Sequence, residues 1–258
     1  MKKSLALFSA LAFMTALVAC DKIYPQKTAQ TEPAQSFSEN QKKEVTALIE
    51  KYIWENPQKI IDSFNNMQRE KEMKRQAEAQ KQLKDVLPEI YKDALNPVLG
   101  NKDAAYTIVK FYDYGCGYCK KMSKMMVEPV IKNGNIRMIF VETPIFGENS
   151  SYAARMAMAS VADGKFKEFH EALIDTKDLS AQHVEKIAKD LGLDVEKLKA
   201  KANSKEYKDK MMKNIMMAQK LGMNGVPMFI LDGQIQPGAF SQEKLNDVFE
   251  QANKKAGK

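Results

Sequence analysis

The stretch that decides the fold reads Tyr106-Thr-Ile-Val-Lys-Phe-Tyr-Asp-Tyr-Gly-Cys-Gly-Tyr-Cys119. Its first seven residues, 106–112, are typical of a buried strand, and the run 120–127 after the second cysteine is typical of a helix. Cys116 and Cys119 therefore fall on the first turn of a helix. Unpaired N–H groups and the helix dipole at that end favour the thiolate of Cys116. This placement predicts thiol–disulfide exchange rather than a structural disulfide.

Other uses of the cysteine pair have less support. A disulfide between positions three apart closes a very small loop and stabilises little. A zinc site needs more ligands than two cysteines, and the two histidines, His170 and His183, are distant in the sequence. We therefore expect no metal and interpret both histidines as ordinary helix residues. Binding of Cu(I) by two thiolates stays open as an alternative.

Length and composition limit the class of protein. The 258 residues suffice for one good-sized domain plus an extension, and a hydrophobic content of 44% indicates a globular chain. The formal net charge is +7, but lysines and glutamates are interspersed and no basic block alternates with aromatic residues. We expect a lysine-rich surface and no nucleic-acid partner.

The N-terminus is typical of a targeting segment. Lys2 and Lys3 precede the apolar run 5–18, so residues 1–19 are predicted to be a signal peptide. The next residues, Leu17-Val-Ala-Cys20, resemble the lipobox of bacterial lipoproteins, in which the chain is cut before the cysteine and the cysteine is lipidated. Lipidation of Cys20 would also account for the odd third cysteine. The alternative is ordinary cleavage nearby, with Cys20 lost or left without a role.

Residues 20–38 form a predicted tether, and residues 39–95 form a predicted helical extension. Ser38 and Gln41 fit a capping box at the start of the first helix. Pro57 fits the first position of a second helix. The charged stretch 68–85 of that helix is predicted to be either a solvated spacer or part of a weak coiled coil.

The extension also carries apolar residues on one helix face. The single tryptophan, Trp54, is interpreted as a core or interface anchor of this segment. Because an apolar face precedes a highly charged helix, residues 39–95 are a candidate oligomerisation segment.

Residues 96–258 have the order strand, helix, strand, helical block, hairpin and helix. The predicted strands are 106–112, 136–142, 228–231 and 234–236, the helical block is 150–221, and Ser241 caps the final helix. Two groups of methionines follow helical spacing, namely Met122, Met125 and Met126, and Met211, Met212, Met216 and Met217. We interpret both groups as packing or substrate contacts rather than metal ligands.

Four features together resemble the DsbA family of thioredoxin-fold proteins over about residues 95–253. They are the run from Phe111 to Lys120, the helical block, Gly225-Val-Pro-Met-Phe229 and Pro237-Gly-Ala239. The segments 49–57 and 97–100 resemble the ScsC-like and Com1-like branch, which carries a helical N-terminal extension. The resemblance implies an α/β thioredoxin fold with a DsbA-type helical insertion, preceded by an α-helical extension.

The resemblance also implies roles for individual residues. Cys116 matches the exposed nucleophile and Cys119 the buried resolving thiol, so the pair would form the redox-active disulfide. Pro227 matches a cis-proline that faces this disulfide, with Val226 before it in a substrate-binding loop. The dipeptide between the cysteines, Gly117 and Tyr118, would tune the redox poise.

One position departs from the family pattern. Many relatives carry a glutamate six residues before the first cysteine, and this glutamate is thought to relay protons to the buried thiol. The residue here is Lys110, and the next carboxylate in the sequence is Asp113. A nearby lysine would favour the Cys119 thiolate, so both residues are candidates for tuning the pair.

The resemblance and the signal peptide together imply an exported thiol–disulfide oxidoreductase. It would form or isomerise disulfides in unfolded or partly folded exported proteins, with a membrane redox partner that resets the pair and with no cofactor. The expected location is the periplasm, with a membrane anchor at lipidated Cys20. Two alternatives stay open, namely a non-catalytic peptide-binding lipoprotein scaffold and a copper-handling protein.

Overall fold

The computed structural model describes residues 37–257. The predicted signal peptide at 1–19, the predicted lipidation site Cys20 and most of the predicted tether lie outside the described residues. The elements that follow are therefore those of the predicted extension and of the domain that carries the cysteine pair.

Helix α1 spans Glu39–Glu55. The predicted capping box is confirmed, because the Ser38 side chain accepts from the Gln41 N–H and the Gln41 side chain accepts from the Ser38 N–H. No residue of α1 is buried, and Trp54 is 88% exposed. A core position for Trp54 is thus wrong, while an interface position stays a prediction.

Helix α2 is a single helix of 36 residues, Pro57–Lys92, with Pro57 at its first position as predicted. Its C-terminal half is not fully solvated, because Ala79, Leu83, Val86 and Ile90 are buried. Among the described residues, those up to Ser63 belong to one compact unit, and a second begins at Phe64, inside the predicted extension. Among residues 37–257, no helix is both long and apolar enough to cross a bilayer.

A five-stranded mixed sheet forms the centre of the second unit. Its strands are β1 (Val98–Gly100), β2 (Tyr106–Tyr112), β3 (Ile136–Glu142), β4 (Met228–Leu231) and β5 (Gln234–Pro237), in the spatial order β1-β3-β2-β4-β5. Strands β2 and β3 are parallel, whereas β1 pairs with β3, β4 with β2, and β5 with β4 in antiparallel fashion. The short β1 was not predicted as a strand.

Helices follow the strands in the order that the sequence predicts. They are α3 (Gly117–Asn133), α4 (Glu148–Ala159) with a 3-10 turn (Ser160–Asp163), α5 (Phe166–Asp175), α6 (Ala181–Asp190), α7 (Val195–Ala202), α8 (Lys205–Lys220) and α9 (Gln242–Lys255). The helical insertion between β3 and β4 thus consists of α4 to α8. This is a thioredoxin fold with an insertion of the DsbA type, as expected.

The sheet buries both faces against helices. Every residue of β2 is buried, and successive side chains point to opposite faces. One face, which includes Ile108 and Tyr112, packs against α3, α9 and the insertion. The other face, which includes Val109 and Phe111, packs against α2 and the end of α8. The cysteine pair lies on the first of these two faces.

Candidate active site

Cys116 caps the N-terminus of α3. Its backbone is extended, and its Sγ accepts a hydrogen bond from the Cys119 N–H at 3.2 Å. A side chain that accepts from an N–H of the first turn satisfies one of the unpaired donors at a helix start. The sulfur therefore occupies the position where a helix stabilises negative charge best.

A loop that is distant in sequence meets this sulfur. The peptide bond between Val226 and Pro227 is cis, the geometry that the resemblance implies. The Val226 carbonyl oxygen lies 3.4 Å from Cys116 Sγ and accepts a hydrogen bond from it. The sheet register explains the meeting, because Phe111 near the end of β2 pairs with Met228 at the start of β4. The loop before β4 and the loop after β2 therefore lie at the same edge of the sheet.

Access to the pair is narrower than the sequence suggests. Cys116 was expected to be exposed, but only 4% of its surface is accessible, and Cys119 is fully buried. The helix N-terminus and the Val226 carbonyl cover most of the first sulfur. The residues between the cysteines are open, since Gly117 is exposed and Tyr118 is 69% exposed. The exposed surface next to the pair is thus formed by this dipeptide.

The two thiols differ strongly in acidity. A hydrogen bond from the Cys119 thiol, helped by the N–H groups of Cys119 and Tyr118, lowers the pKa of Cys116 to about 7 against the effect of burial. Burial raises the pKa of Cys119 well above its usual range, and its hydrogen bond to Cys116 adds to this. At neutral pH Cys116 is therefore about half thiolate while Cys119 stays a thiol, the arrangement that thiol–disulfide exchange needs.

Comparison with known proteins agrees with this geometry. The family model described as "DSBA-like thioredoxin domain" matches residues 107–250, which include the cysteine pair and the cis-proline. The chain belongs to the DsbA-like thioredoxin domain family. Its members include thiol–disulfide oxidoreductases, and this assignment confirms both the resemblance and the fold class.

Three relatives illustrate the extent of the match. A thioredoxin-like oxidoreductase from Silicibacter pomeroyi DSS-3 is 36% identical, with a TM-score of 0.60 over 64% of this chain and 96% of its own. A probable disulfide bond formation protein D from Bacillus cereus is 28% identical over 178 residues, 62% of this chain and 81% of its own. Proteus mirabilis ScsC in a compact conformation is 25% identical, with a TM-score of 0.63 over 84% of this chain and 100% of its own.

Lys110 is the position at which this DsbA-like chain departs from the pattern. Its side chain is fully buried, and its Nζ donates to Ser123 Oγ and lies 3.5 Å from the Cys119 carbonyl oxygen. Burial lowers the pKa of Lys110 to about 8, although the nearby Cys119 and Glu142 oppose the shift. A lysine whose pKa lies this close to physiological pH can exchange a proton under those conditions.

A buried polar cluster continues from Ser123. Ser123 Oγ lies 3.2 Å from His170 Nε2, and His170 Nδ1 lies 2.8 Å from the Tyr114 hydroxyl. The Tyr112 hydroxyl lies 3.0 Å from that of Tyr114 and donates to Glu142. A cleft of about 270 Å³ between α3 and α5 is lined in part by Ser123 and His170. The cluster thus connects the surroundings of Cys119 with a surface cleft.

Burial sets the charge state of this cluster. It raises the pKa of Glu142 well above the usual range, which favours a neutral carboxyl group that the two tyrosines contact. Burial also lowers the pKa of His170 well below its usual range, and the positive charge of Lys110 adds to this effect. Apart from the charge of Lys110, the cluster is therefore close to neutral, as its apolar surroundings require.

Asp113 has a structural task at the site. Its buried carboxylate accepts from the Gly115 N–H at 2.6 Å and from the N–H groups of Ile145 and Phe146 at 2.6 and 2.9 Å. It thus fixes the loop before Cys116 against the loop after β3. The backbone N–H of Asp113 also forms a hydrogen bond with Cys119, which lowers the pKa of that thiol against the effect of burial.

Sequence reasoning missed part of the site. Ser123, Glu142 and the buried His170 were not singled out as partners of the cysteine pair, and His170 was interpreted as an ordinary helix residue. The available signal was Lys110 inside β2 and Glu142 at the end of β3, in strands whose other polar residues are Thr107 and Arg137 near their starts. The packing interpretation of the methionines is confirmed for Met122, Met126, Met211 and Met217, which are buried, whereas Met212 and Met216 are more than half exposed.

Proposed function

We propose that the chain is an exported thiol–disulfide oxidoreductase that forms or isomerises disulfides through Cys116 and Cys119. One observation carries the proposal. Cys116 Sγ caps a helix N-terminus at 3.2 Å from the Cys119 N–H and faces the Val226 carbonyl at 3.4 Å. A sulfur held between a helix start and a cis-proline loop is placed to be attacked by a substrate thiolate and to leave again as a thiolate.

The proposed reaction begins with the pair as a disulfide. A substrate thiolate attacks Cys116 Sγ, the Cys116–Cys119 bond breaks, and Cys119 leaves as a thiolate that takes up a proton. A second substrate thiolate then attacks the substrate sulfur of the mixed disulfide, and Cys116 leaves as a thiolate. Two electrons have passed from the substrate to the pair, so a membrane redox partner has to oxidise the pair again.

The cis-proline loop has a second task in this proposal. The loop of Val226 and Pro227 would present backbone groups to an extended substrate segment, in the manner of strand addition. The exposed Gly117 and Tyr118 would lie under the same segment and tune the redox poise of the pair. The substrates would be unfolded or partly folded exported proteins, because only 4% of Cys116 is accessible and a rigid folded surface would not reach its sulfur.

The deciding experiment is a redox titration of the chain against glutathione. A Cys20→Ser background leaves Cys116 and Cys119 as the only thiols, and alkylation followed by mass spectrometry gives the reduced fraction. Because the lowered pKa of Cys116 stabilises the reduced form, we expect a potential less negative than about −200 mV. A potential below about −270 mV would contradict an oxidase or isomerase and favour a reductase.

Cys116→Ala distinguishes an enzyme from a peptide-binding scaffold. The variant should abolish all turnover of an enzyme, whereas a scaffold would keep its function.

We also propose that residues 39–95 make the protein a homo-oligomer, which would favour isomerisation over simple oxidation. The support is a set of apolar side chains on α1 and the start of α2 that are about half exposed or more, namely Leu48, Ile49, Tyr52, Trp54, Ile61 and Phe64. Light scattering should give a multiple of the monomer mass that is lost in a Leu48→Asp, Trp54→Asp double variant. Lys43→Asp, on the same exposed helix, is the control. A monomer in every case would contradict the proposal.

Export to the periplasm and anchoring through lipidated Cys20 complete the proposal. The support is the basic start, the apolar run 5–18 and the four residues ending at Cys20. Incorporation of a labelled fatty acid into the native chain, and its loss in Cys20→Ser, would test the anchor. An unlabelled native chain would contradict it.

A further inference from the structure

A groove of about 710 Å³ opens beside the cis-proline loop. Helix α2 supplies one wall, and the chain from Leu221 to Met228 together with β5 supplies the other. We call this the α2 groove. Its volume lies within the range of about 300–1,000 Å³ that is usual for ligand sites.

The α2 groove extends to the loop that contacts the reacting sulfur. Val226 and Pro227 line it, and the carbonyl oxygen of Val226 is the atom that lies 3.4 Å from Cys116 Sγ. A polypeptide whose cysteine is joined to Cys116 and whose backbone passes the cis-proline loop therefore has the α2 groove directly beside it. A small thiol bound at the same sulfur would not extend so far.

The lining of the groove is nearly neutral, although the chain carries a net charge of +7. Among the described residues that line it, the charged ones are Glu72 and Arg75, and these form an ion pair at 2.7 Å. No lysine stands among them. Such a lining has little preference for the charge of a ligand, so recognition would depend on shape and apolar contact.

Methionines give the groove an adaptable apolar surface. Met73 on α2 is 70% exposed, and Met223 and Met228 line the opposite wall with Ile235. Methionine is flexible and polarizable, and it recurs at surfaces that accept many different partners. An exposed methionine on the inner wall of a groove is suited to unrelated apolar side chains.

The two walls are fixed to each other before any ligand arrives. Gln80 Nε2 on α2 donates to the Gly233 carbonyl oxygen at 2.8 Å. At Gly222 the helix comes so close that an added Cβ would lie 3.6 Å from Arg75 Cγ and 3.7 Å from Ala79 Cβ. A preformed groove reduces the entropy that binding has to overcome.

We propose that the α2 groove binds the extended, uncharged and apolar stretch of a substrate polypeptide that flanks its reacting cysteine. This inference rests on the proposed function and adds a site to it. Helix α2 then contributes to substrate binding, in addition to any part that the segment 39–95 has in assembly. The groove would favour unfolded substrates, because a folded protein does not present an extended apolar segment.

The test compares a long and a short thiol substrate. The long one is a synthetic peptide of about nine residues, enough to extend about 30 Å as a strand, with Val, Leu and Phe on both sides of a single cysteine. The short one is glutathione. The quantity measured is the ratio of kcat/KM for the peptide to kcat/KM for glutathione. Gln76→Trp places a bulky side chain in the groove, and Gln68→Trp makes the same change on the same helix outside the groove.

We expect Gln76→Trp to lower this ratio about tenfold and Gln68→Trp to leave it within about twofold of the native value. Met73→Asp should lower it as well, whereas Met212→Asp, at an exposed methionine outside the groove, should not. A native chain that reacts with glutathione but shows an unchanged ratio in Gln76→Trp and Met73→Asp would overturn the groove assignment alone. A native chain that reacts with neither thiol would overturn the proposed function and this inference with it.

Discussion

The two faces of the central sheet are built from different chemistry. On the face that packs against α2, the core cluster consists of aliphatic, aromatic and methionine side chains, with Val109, Phe111 and Val141 from the strands. On the face that packs against α3, the same strands contribute Lys110, Tyr112 and Glu142 between apolar neighbours. Alternation along β2 and β3 thus places the polar cluster on one face, whereas the polar side chains on the other face, Thr107 and Arg137, lie near the start of the strands.

The two faces of the sheet therefore have different roles, one in the stability of the fold and the other in the chemistry of the cysteine pair. Buried polar groups cost free energy unless they are paired, and replacing them with apolar groups is often neutral or stabilising. The polar cluster is therefore not needed to hold the sheet together. It lies where Cys119 is buried, so we infer that its task is to control the protons and charge of the cysteine pair.

The largest expected effect concerns the apolar face. Phe111 is fully buried, and Phe111→Ala should lower the free energy of unfolding by about 3–5 kcal/mol through lost burial and an unfilled cavity. Denaturant unfolding measures this change. Phe64→Ala, at a phenylalanine that is 55% exposed on α2, is the matched control and should cost far less. A comparable loss in both variants would remove the contrast between buried and exposed positions.

The second prediction concerns Cys116 on the polar face. With a pKa of about 7 instead of the ordinary value near 9, the reduced chain should be alkylated by iodoacetamide at a rate that rises with pH and is half-maximal at about pH 7. At neutral pH this is roughly a fiftyfold gain in thiolate over an ordinary cysteine. Rapid mixing in Cys20→Ser measures the rate.

The sign of the linked stability follows from the same shift. Because the pKa of Cys116 is lowered in the folded, reduced chain, the thiolate stabilises that form above about pH 9 and progressively less as the pH falls through about 7. An alkylation rate that is half-maximal near pH 9 would show that the N-terminus of α3 does not lower the pKa of Cys116.

The third prediction removes the positive charge of the polar face. Lys110→Met keeps the side-chain volume but removes the amine that donates to Ser123. We expect Cys119 to resolve a mixed disulfide about tenfold more slowly, since general acid–base help is lost. The unfolding free energy should stay within about 1.5 kcal/mol of the native value.

The pH profile identifies the cause of that slower step. We expect neutral Lys110, whose Nζ lies 3.5 Å from the Cys119 carbonyl oxygen, to accept the Cys119 proton and pass it by way of Ser123 to the cleft, so the native rate should rise with pH and level off above about 8. Lys110→Met should lose this inflection. Lys210→Met, at a buried lysine paired with Asp93, is the control and should leave the rate unchanged. An inflection that persists in Lys110→Met would exclude Lys110 as the proton acceptor.

The central strands and the position of the cysteine pair could be predicted from the sequence, because the patterns that indicate them are local. Strand, helix start and turn patterns are local, so β2, β3, β4 and the N-terminus of α3 could be placed from neighbouring residues. The cis-proline followed from the family resemblance, because Val226 and Cys116 are 110 residues apart and no local pattern joins them.

The polar cluster could not be predicted in the same way. Lys110, Ser123, His170 and Glu142 come from four different elements and meet only once the insertion packs on the sheet. The burial of Ala79 was hidden for a related reason, since it lies in the charged stretch 68–85, whereas the apolar spacing of Leu83, Val86 and Ile90 does predict packing onto the domain that follows. Tertiary packing decided both.

The smallest expected effect is at Glu142. Because burial raises its pKa well above the usual range and so favours the neutral carboxyl group, Glu142→Gln should change the rate of mixed-disulfide resolution at pH 7 by less than about threefold. A carboxyl group whose pKa is raised by folding destabilises the folded state as the pH rises above the pKa that the group has in the unfolded chain. The glutamine variant should therefore gain in unfolding free energy relative to the native chain between pH 4 and pH 7. A tenfold loss of rate at pH 7 would mean that Glu142 is charged there and acts as the ionic partner of Lys110, and the polar face would then be a charge pair instead of a neutral proton path.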